Sequence, residues 1–466
     1  MENQDLEKLF NLQKENLHQL AQTTTKERIR KIKKVKEWIL SHQEELHQSL
    51  YLDFRKSMME VKVAEVLPVV GEANYIISNL KKWMRPEVVD TPLKLIGTSS
   101  KIYREPKGNC LIISPWNYPV NLSIKPLLQA IAAGNAVILK PSEMTPNTSL
   151  FMKKMVNELF DPSEVEVVLG DAKVAMELQK LKFNHIFFTG SPAVGKLVMQ
   201  AAAKNLCSVT LELGGKSPSV VDEKCDIRST AKKLACGKFL NNAQTCIAPD
   251  YLLVHESVKN EFLTALKEAF EEFGGGDLAA SPDYCRIVNN QHFQRLEGIL
   301  EDAKGKGAKV VFGGKVSSQD NFIEPTALTD VTDDMRILQE ELFGPLIPIK
   351  TFRHIDECVD YINAGEKPLA LYYFGNKSGN LEKLIQGTSS GAVVVNDTAI
   401  HYLHSGLPFG GVNNSGIGKA FGWYGFMEFT NFKPVMKNHF YMTNLIFPPY
   451  DKTRSKVIDL LIKYLA

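Results

Sequence analysis

The chain lacks a long hydrophobic run: among its 466 residues no stretch of 18 apolar side chains occurs, so no membrane-spanning helix is expected. Its opening, MENQDLEKLF, is charged and has no apolar core of the kind a secretory signal needs. A cytoplasmic location is the expectation. Charge of one sign is lacking too. With 55 Lys and Arg against 53 Asp and Glu, the net charge of +2 gives no global field to recruit nucleic acid. The basic stretch KERIRKIKKVKEWIL (26–40) reads as a solvated helix, with Ile29, Ile32, Val35 and Ile39 on one face and basic residues opposite. Cysteine is sparse and scattered. Seven residues, an odd number without a CxxC pair or zinc-like cluster, read as reduced thiols, and no metal site is expected.

What is present is an α/β alternation. After a helical opening from about residue 5 to 84, NCLIISP, NAVILKPS, VEVVLG and HIFFTG read as strands, separated by helices starting near Thr145, Asp171 and Ser191. Strands apolar on both faces require a parallel sheet covered by helices. A second alternating region carries the strands YLLVHES, AKVVFGG, LIPIKTF, LALYYFG and GAVVVND. No repeat or low-complexity linker divides the two regions, so they are expected to pack together with a site in the cleft between them.

Four segments carry candidate chemistry. In HIFFTGSPAVGKLVMQAA (185–202) a strand turns into a helix whose start holds Gly190, Ser191 and Gly195. Such a helix N-terminus favours phosphate. The spacing is not GxGxxG, and the GxxxxGK match to a P-loop is followed by Leu197, which has no hydroxyl for magnesium. Lys140 and Glu143 close the strand NAVILKPSE, where they would reach ribose hydroxyls or simply pair with each other. Glu212 sits in VTLELGGKSP among apolar and small residues, either as a general base beside space for water or as an exposed edge carboxylate.

The fourth segment is FLNNAQTCIAPDY (239–251). A working thiolate needs a polar, positively biased setting, and Cys246 sits among Asn241, Asn242, Gln244 and Thr245. Cys110 and Cys236, in NCLII and KLACGKF, are expected in the core.

Together with PWNYP (115–119), EELFGP (340–345) and PFGGVNNSG (408–416), these motifs in this order resemble the aldehyde dehydrogenase superfamily, and within it the class 3 branch. The likeness runs from about residue 25 to 440; NLKKWMRPEVVDTPL and the APDY after the cysteine point to class 3. The resemblance implies a Rossmann-like parallel-sheet cofactor domain, an α/β catalytic domain and a small oligomerisation arm. By that likeness residues 1–211 bind NAD(P), with about 85–105 contributing to the arm, 212–400 are catalytic, 401–440 return to the cofactor domain and arm, and 441–466 are a tail.

It further implies that Cys246 attacks an aldehyde, that Asn117 and the Cys246 N–H hold the oxyanion, and that Glu212 activates the water that releases a carboxylic acid. Lys140 and Glu143 fall to the adenosine ribose, Gly190, Ser191 and Gly195 to the phosphates, and Glu341 and Phe343 to the nicotinamide ribose and ring. NAD is the expected cofactor, with NADP open. By position, Tyr118, Leu122, Leu240 and Ile400 line an apolar tunnel for medium-chain aliphatic or aromatic aldehydes, or are core packing. The alternatives are a CoA-acylating relative, against which Glu212 stands, and a catalytically silent member, against which Cys246, Glu212 and Asn117 stand.

Two residues depart from the family pattern: Ala243 and Asn413 stand where glycine is usual. Finally, the tail LIFPPYDKTRSKVIDLLIKYLA has an apolar stripe of Val457, Ile458, Leu460, Leu461, Tyr464 and Leu465. Packing across a homodimer, the assembly the resemblance implies, is one reading, and a weak peripheral membrane contact is the other.

Overall fold

Short polar residues start several of the helices. Thr24 and Glu27 form a reciprocal capping box for Thr25–Ser41, Asp171 accepts from Lys173 and Val174 N–H ahead of Ala172–Leu178, and Ser191 accepts from Val194 N–H ahead of Pro192–Ala203. The computed structural model describes residues 3–440 and 447–465. Its opening is helical, with Asn3–Ala21, Thr25–Ser41, Gln43–Phe54 and Leu67–Trp83 as the long elements. Ile32, Val35 and Ile39 are buried as their spacing requires, and Ile29 is half-buried. Arg28 departs from the expected basic face. It is buried and donates to the Thr23 hydroxyl and the Ala132 carbonyl, both at 2.9 Å, because the end of Asn121–Ala133 needs donors for its last carbonyls.

Residues 109–213 and 416–417 build a six-stranded sheet in the order Gly416–Ile417, Ser208–Leu213, His185–Gly190, Asn109–Ile113, Ala136–Lys140, Val165–Val167. All neighbours are parallel except the first pair. Asn109–Ile113 and Ala136–Lys140 are buried at every position, which accounts for their unbroken apolar runs. Strand order reverses between Asn109–Ile113 and His185–Gly190, and a ligand crevice opens at the carboxyl ends beside such a reversal.

The chain leaves this sheet at Leu213 and enters a seven-stranded one at Pro218. Its order is Lys309–Phe312, Thr326–Thr329, Leu346–Phe352, Tyr251–His255, Pro218–Val221, Ala370–Phe374, Ala392–Val395, parallel apart from the first edge strand. The five strands read from the sequence are present, and Pro218–Val221 and Thr326–Thr329 are added between them.

A third sheet pairs Glu87–Val89, Thr98–Pro106 and Thr430–Asn438 antiparallel. It exposes Val88, Tyr103 and Met436. The tail ends in the helix Lys452–Leu465, which lies against the turn Leu93–Leu95. Val457, Ile458 and Leu461 are half-buried there, whereas Leu460 and Tyr464 face outward. Residues 441–446 and 466 of that tail lie outside the described residues. Among the described residues no helix is long and apolar enough to cross a membrane, and no cluster of His, Cys, Asp or Glu could hold a metal ion.

Candidate active site

The helix Ile227–Phe239 runs into a turn in which Asn241, Asn242 and Ala243 all have φ of +54°. Left-handed backbone is costly for L-residues, least so for Asn, and side-chain amides hold this one in place. Asn241 Nδ2 donates to the carbonyls of Asn117 (2.9 Å) and Gln244 (3.0 Å). Asn242 Nδ2 donates to the Cys285 carbonyl at 3.0 Å, and its Oδ1 accepts from the Tyr284 hydroxyl at 2.9 Å. Gln244 bonds the Arg286 carbonyl and the Val288 N–H. All three amide residues are fully buried. They are the scaffold of the loop rather than the polar bath around the thiol that the sequence suggested.

Cys246 stands where two cavities meet. One, of about 400 Å³, is lined by Tyr118, Leu122, Leu240 and Ile400 together with Ala64, Pro68, Thr245 and Tyr402. The other, of about 20 Å³, is lined by Glu212, Thr189, Phe187, Phe409 and Phe421. Cys246 and Leu122 line both. The smaller space suits a water, which needs roughly 10–15 Å³. Both Glu212 carboxylate oxygens are buried without a hydrogen-bond partner.

The charges around the thiol are acidic, not basic as a reactive cysteine led us to expect. Burial, then Glu341 and Glu212, push Cys246 up to about 12. Burial also holds Glu212 well above the usual carboxylate range; Lys419 opposes the shift and Glu428 adds to it. Burial and Asp250 raise Glu341 to about 8. This is a protonated, largely neutral site at pH 7.

The remaining predicted residues gather at the carboxyl ends of the six-stranded sheet. Lys140 Nζ binds Glu143 Oε2 at 2.7 Å, so the two do pair with each other. Gly190 ends its strand, Ser191 caps the next helix, and Gly195 lies inside that helix. A Cβ at Gly195 would come within 2.7 Å of the Leu213 side chain, so glycine is what lets helix and strand close up. On the far wall, a Cβ on Gly214 would meet Glu341 Oε2 at 2.2 Å, so the carboxyl rests on bare backbone. Phe343, at φ +50°, packs edge-on to Trp116 with 5.4 Å between ring centroids.

The sequence profile of the Aldehyde dehydrogenase family matches residues 1–435. The chain belongs to the aldehyde dehydrogenase family. It is 43% identical over 433 residues, 93% of this chain and 94% of the relative, to the 4,4'-diaponeurosporen-aldehyde dehydrogenase of Staphylococcus aureus (strain NCTC 8325 / PS 47). It is 41% identical over 404 residues to the dimeric NADP-preferring aldehyde dehydrogenase of Canis lupus familiaris, covering 87% of this chain and 88% of that one. Among solved structures, the substrate-bound state of Staphylococcus aureus AldH superposes with a TM-score of 0.93 at 41% identity, over 98% of this chain and 99% of that one. The protein is therefore an NAD(P)-dependent aldehyde dehydrogenase, oxidising aldehydes to acids.

Both departures from the family's glycines fall at positive φ. Ala243 sits at +54° and Asn413 at +56°; Asn tolerates that region, whereas Ala is held there against its preference. Asn413 Oδ1 also accepts from Lys367 at 2.9 Å. Cys110 is buried as expected, but Cys236 is not a core residue. It is exposed and lines the larger cavity, since its helix turns Ala231, Leu234, Ala235 and Lys238 inward instead.

Sequence reasoning also missed the residues that fix the 340–344 loop. Lys216 Nζ donates to the Glu340 carbonyl at 2.7 Å and pairs with Asp250, and Asp250 Oδ2 accepts from Leu342 N–H at 2.8 Å. Arg295 donates to the Glu341 carbonyl at 3.2 Å. Lys216 and Asp250 both lie inside quoted motifs, so their signal was available.

Proposed function

We propose that this aldehyde dehydrogenase acts on medium-chain aliphatic or aromatic aldehydes through a covalent intermediate on Cys246. The observation that carries the reading is the thiol's position between the apolar cavity and the small one it shares with Glu212. The aldehyde's apolar body enters past Ile400 and lies against Tyr118, Leu122 and Leu240. The thiol and Glu212 are both held protonated at rest. Their ionised forms would be favoured beside a cationic nicotinamide, and Glu212, once ionised, takes the thiol proton as Sγ attacks the carbonyl carbon.

Asn117 Nδ2 carries two hydrogens. One is committed to the Gln244 carbonyl at 2.9 Å, and the other, with the Cys246 N–H, receives the developing oxyanion. The bound cofactor supplies the hydride acceptor. The residues that would hold it are Lys140 and Glu143 at the adenosine ribose, Gly190, Ser191 and Gly195 at the phosphates, and Glu341 and Phe343 at the nicotinamide ribose and ring. The acidic set around Cys246 fits a cationic nicotinamide, which would offset the mutual repulsion of these groups. Because Lys140 already neutralises Glu143, both NAD and NADP are accepted. Glu212 passes the thiol proton to solvent and, as carboxylate again, takes a proton from a water in the small cavity as that water adds to the Cys246 thioester. The C–S bond then breaks, returning the Cys246 thiolate and releasing the acid.

The domain division follows the sheets: a cofactor domain on the six strands, a catalytic domain on the seven, and an arm on the three. The exposed apolar side chains of that arm support a homodimer, with the helix Lys452–Leu465 as an extension of the same face. Vesicle co-sedimentation lost on deleting residues 447–466 would assign that helix to lipid instead.

Absorbance of reduced nicotinamide tests the main reading. With NAD or NADP and hexanal or benzaldehyde, without CoA, the wild-type protein is expected to turn over and Cys246→Ala is not. Turnover that requires CoA would overturn it.

A further inference from the structure

Among the described residues the mechanism leaves three fully buried lysines unused, Lys56, Lys125 and Lys238, and the first of them reaches the Asn117 backbone. Lys56, between the helices Gln43–Phe54 and Leu67–Trp83, is 0% exposed. Its Nζ donates to Glu65 Oε1 at 2.9 Å and to the backbone carbonyl of Asn117 at 3.0 Å. It also lies 4.3 Å from the centre of the Tyr118 ring. Glu65 Oε2 accepts the Asn121 N–H at 2.8 Å, so the ion pair grips the segment 117–121 at both ends. A buried pair of this kind is a poor source of stability, because removing two charges from water costs about what their attraction returns. Its position suggests another use.

The Asn117 carbonyl is a junction. Besides Lys56 it accepts Asn241 Nδ2 from the strained turn ahead of Cys246, while the Asn117 side chain reaches the Gln244 carbonyl in the same loop. A peptide carbonyl that accepts two donors, one of them an ammonium, has its plane fixed, and the Cα–Cβ bond of Asn117 is fixed with it. The free Nδ2 hydrogen then has one direction.

We propose that Lys56 is a positioning residue for the oxyanion site: through the Asn117 backbone it sets the aim of the Asn117 amide at the carbonyl oxygen on Cys246. The proposal rests on the role of Asn117 given above. Lys56 touches neither substrate nor cofactor, so its loss lowers kcat and leaves cofactor affinity alone.

The test is a double-mutant cycle on the full chain. Replacing Lys56→Met alone would strand Glu65, so Lys56→Met and Glu65→Gln are made together; the buried Glu60 carboxyl, which Lys56 also holds down, is then left to keep its proton. Steady-state kcat for hexanal, the Kd for NAD and the melting temperature are measured with and without Asn117→Ala. The pair replacement is expected to lower kcat about 10- to 100-fold in the wild-type background and less than about twofold in Asn117→Ala, with the NAD Kd unchanged. An equal fall in both backgrounds would mean a merely structural role and overturn the proposal, as would an unchanged kcat. Should Asn117→Ala itself retain full kcat, the oxyanion reading fails first and the coupling with it. If the pair replacement does not fold, Lys56→Arg, which keeps the charge but moves the donor to the Asn117 carbonyl, replaces it in the cycle with the same expected pattern.

Discussion

The Asn117 side chain donates to the Gln244 carbonyl at 2.9 Å, joining two loops 127 residues apart. One follows the central strand of the six-stranded sheet and the other precedes Cys246. With the Asn241 Nδ2 bond to the Asn117 carbonyl, this hydrogen bond ties the thiol's loop to the amide expected to receive the oxyanion, so a change in either loop reaches both.

Alkylation of Cys246 in the cofactor-free protein is expected to be slow at neutral pH. With its proton held to about 12, the thiolate fraction and the iodoacetamide rate climb about tenfold per pH unit from about pH 7 to about pH 10. Adding NAD should raise the rate at pH 7. Mass spectrometry of the Cys246 peptide gives the rates, and a plateau near pH 8 would contradict the acidic surroundings described for the thiol.

Glu212→Gln keeps the shape of the small cavity but removes its base. The burst of reduced cofactor is expected to slow and steady-state kcat to fall about 100-fold or more, because both the thiol proton and the water proton pass to Glu212. The melting temperature should hold or rise, because a buried carboxyl without a partner is replaced by an amide. Stopped-flow absorbance separates the burst from turnover.

Glu341→Gln should stabilise the protein increasingly as pH rises above about 4.5, with the full gain reached near pH 8. Folded, Glu341 takes up its proton at about 8 against an ordinary 4.5. The native state therefore holds more protons than the unfolded one in that window, and stability falls as pH rises through it. The amide removes that fall. Urea unfolding should show no gain at pH 4.5 and a gain of about 1 kcal/mol or more at pH 8.

Ala243→Gly relieves a left-handed alanine. The strain removed, about 1–2 kcal/mol, exceeds the extra freedom glycine gains in the unfolded chain, about 0.4–1 kcal/mol. Calorimetry is expected to show a melting temperature higher by a few degrees with kcat within about twofold. A lower melting temperature would mean that the buried methyl group matters more than the strain.

Ile400→Trp places a ring at the mouth of the larger cavity, where Ile400 is already 51% exposed and the fold tolerates bulk. The kcat/KM for decanal should fall about tenfold while that for acetaldehyde stays within about twofold. Equal losses for both would show that the aldehyde enters elsewhere.

Much of this protein was legible in the chain itself. The strand runs, the helix caps at Asp171 and Ser191, and the ordered motifs around Glu212 and Cys246 are local or nearly so. Burial on both faces writes an apolar run, and a cap must sit next to the helix it starts. What tertiary structure decided is which way side chains face and what meets across distance. Cys236 and Lys238 share a helix, yet the cysteine lines a cavity and the lysine is buried, donating to the Gly344 carbonyl at 3.2 Å. Helix phase overrode residue type there. The amides around Cys246 looked like a polar setting for a thiolate and are instead the bonds that hold three left-handed residues. The acidic field on the thiol comes from Glu212 and Glu341, which are 34 residues before it and 95 after it in the sequence. Electrostatic and packing effects depend on separation in space, and only folding sets that separation.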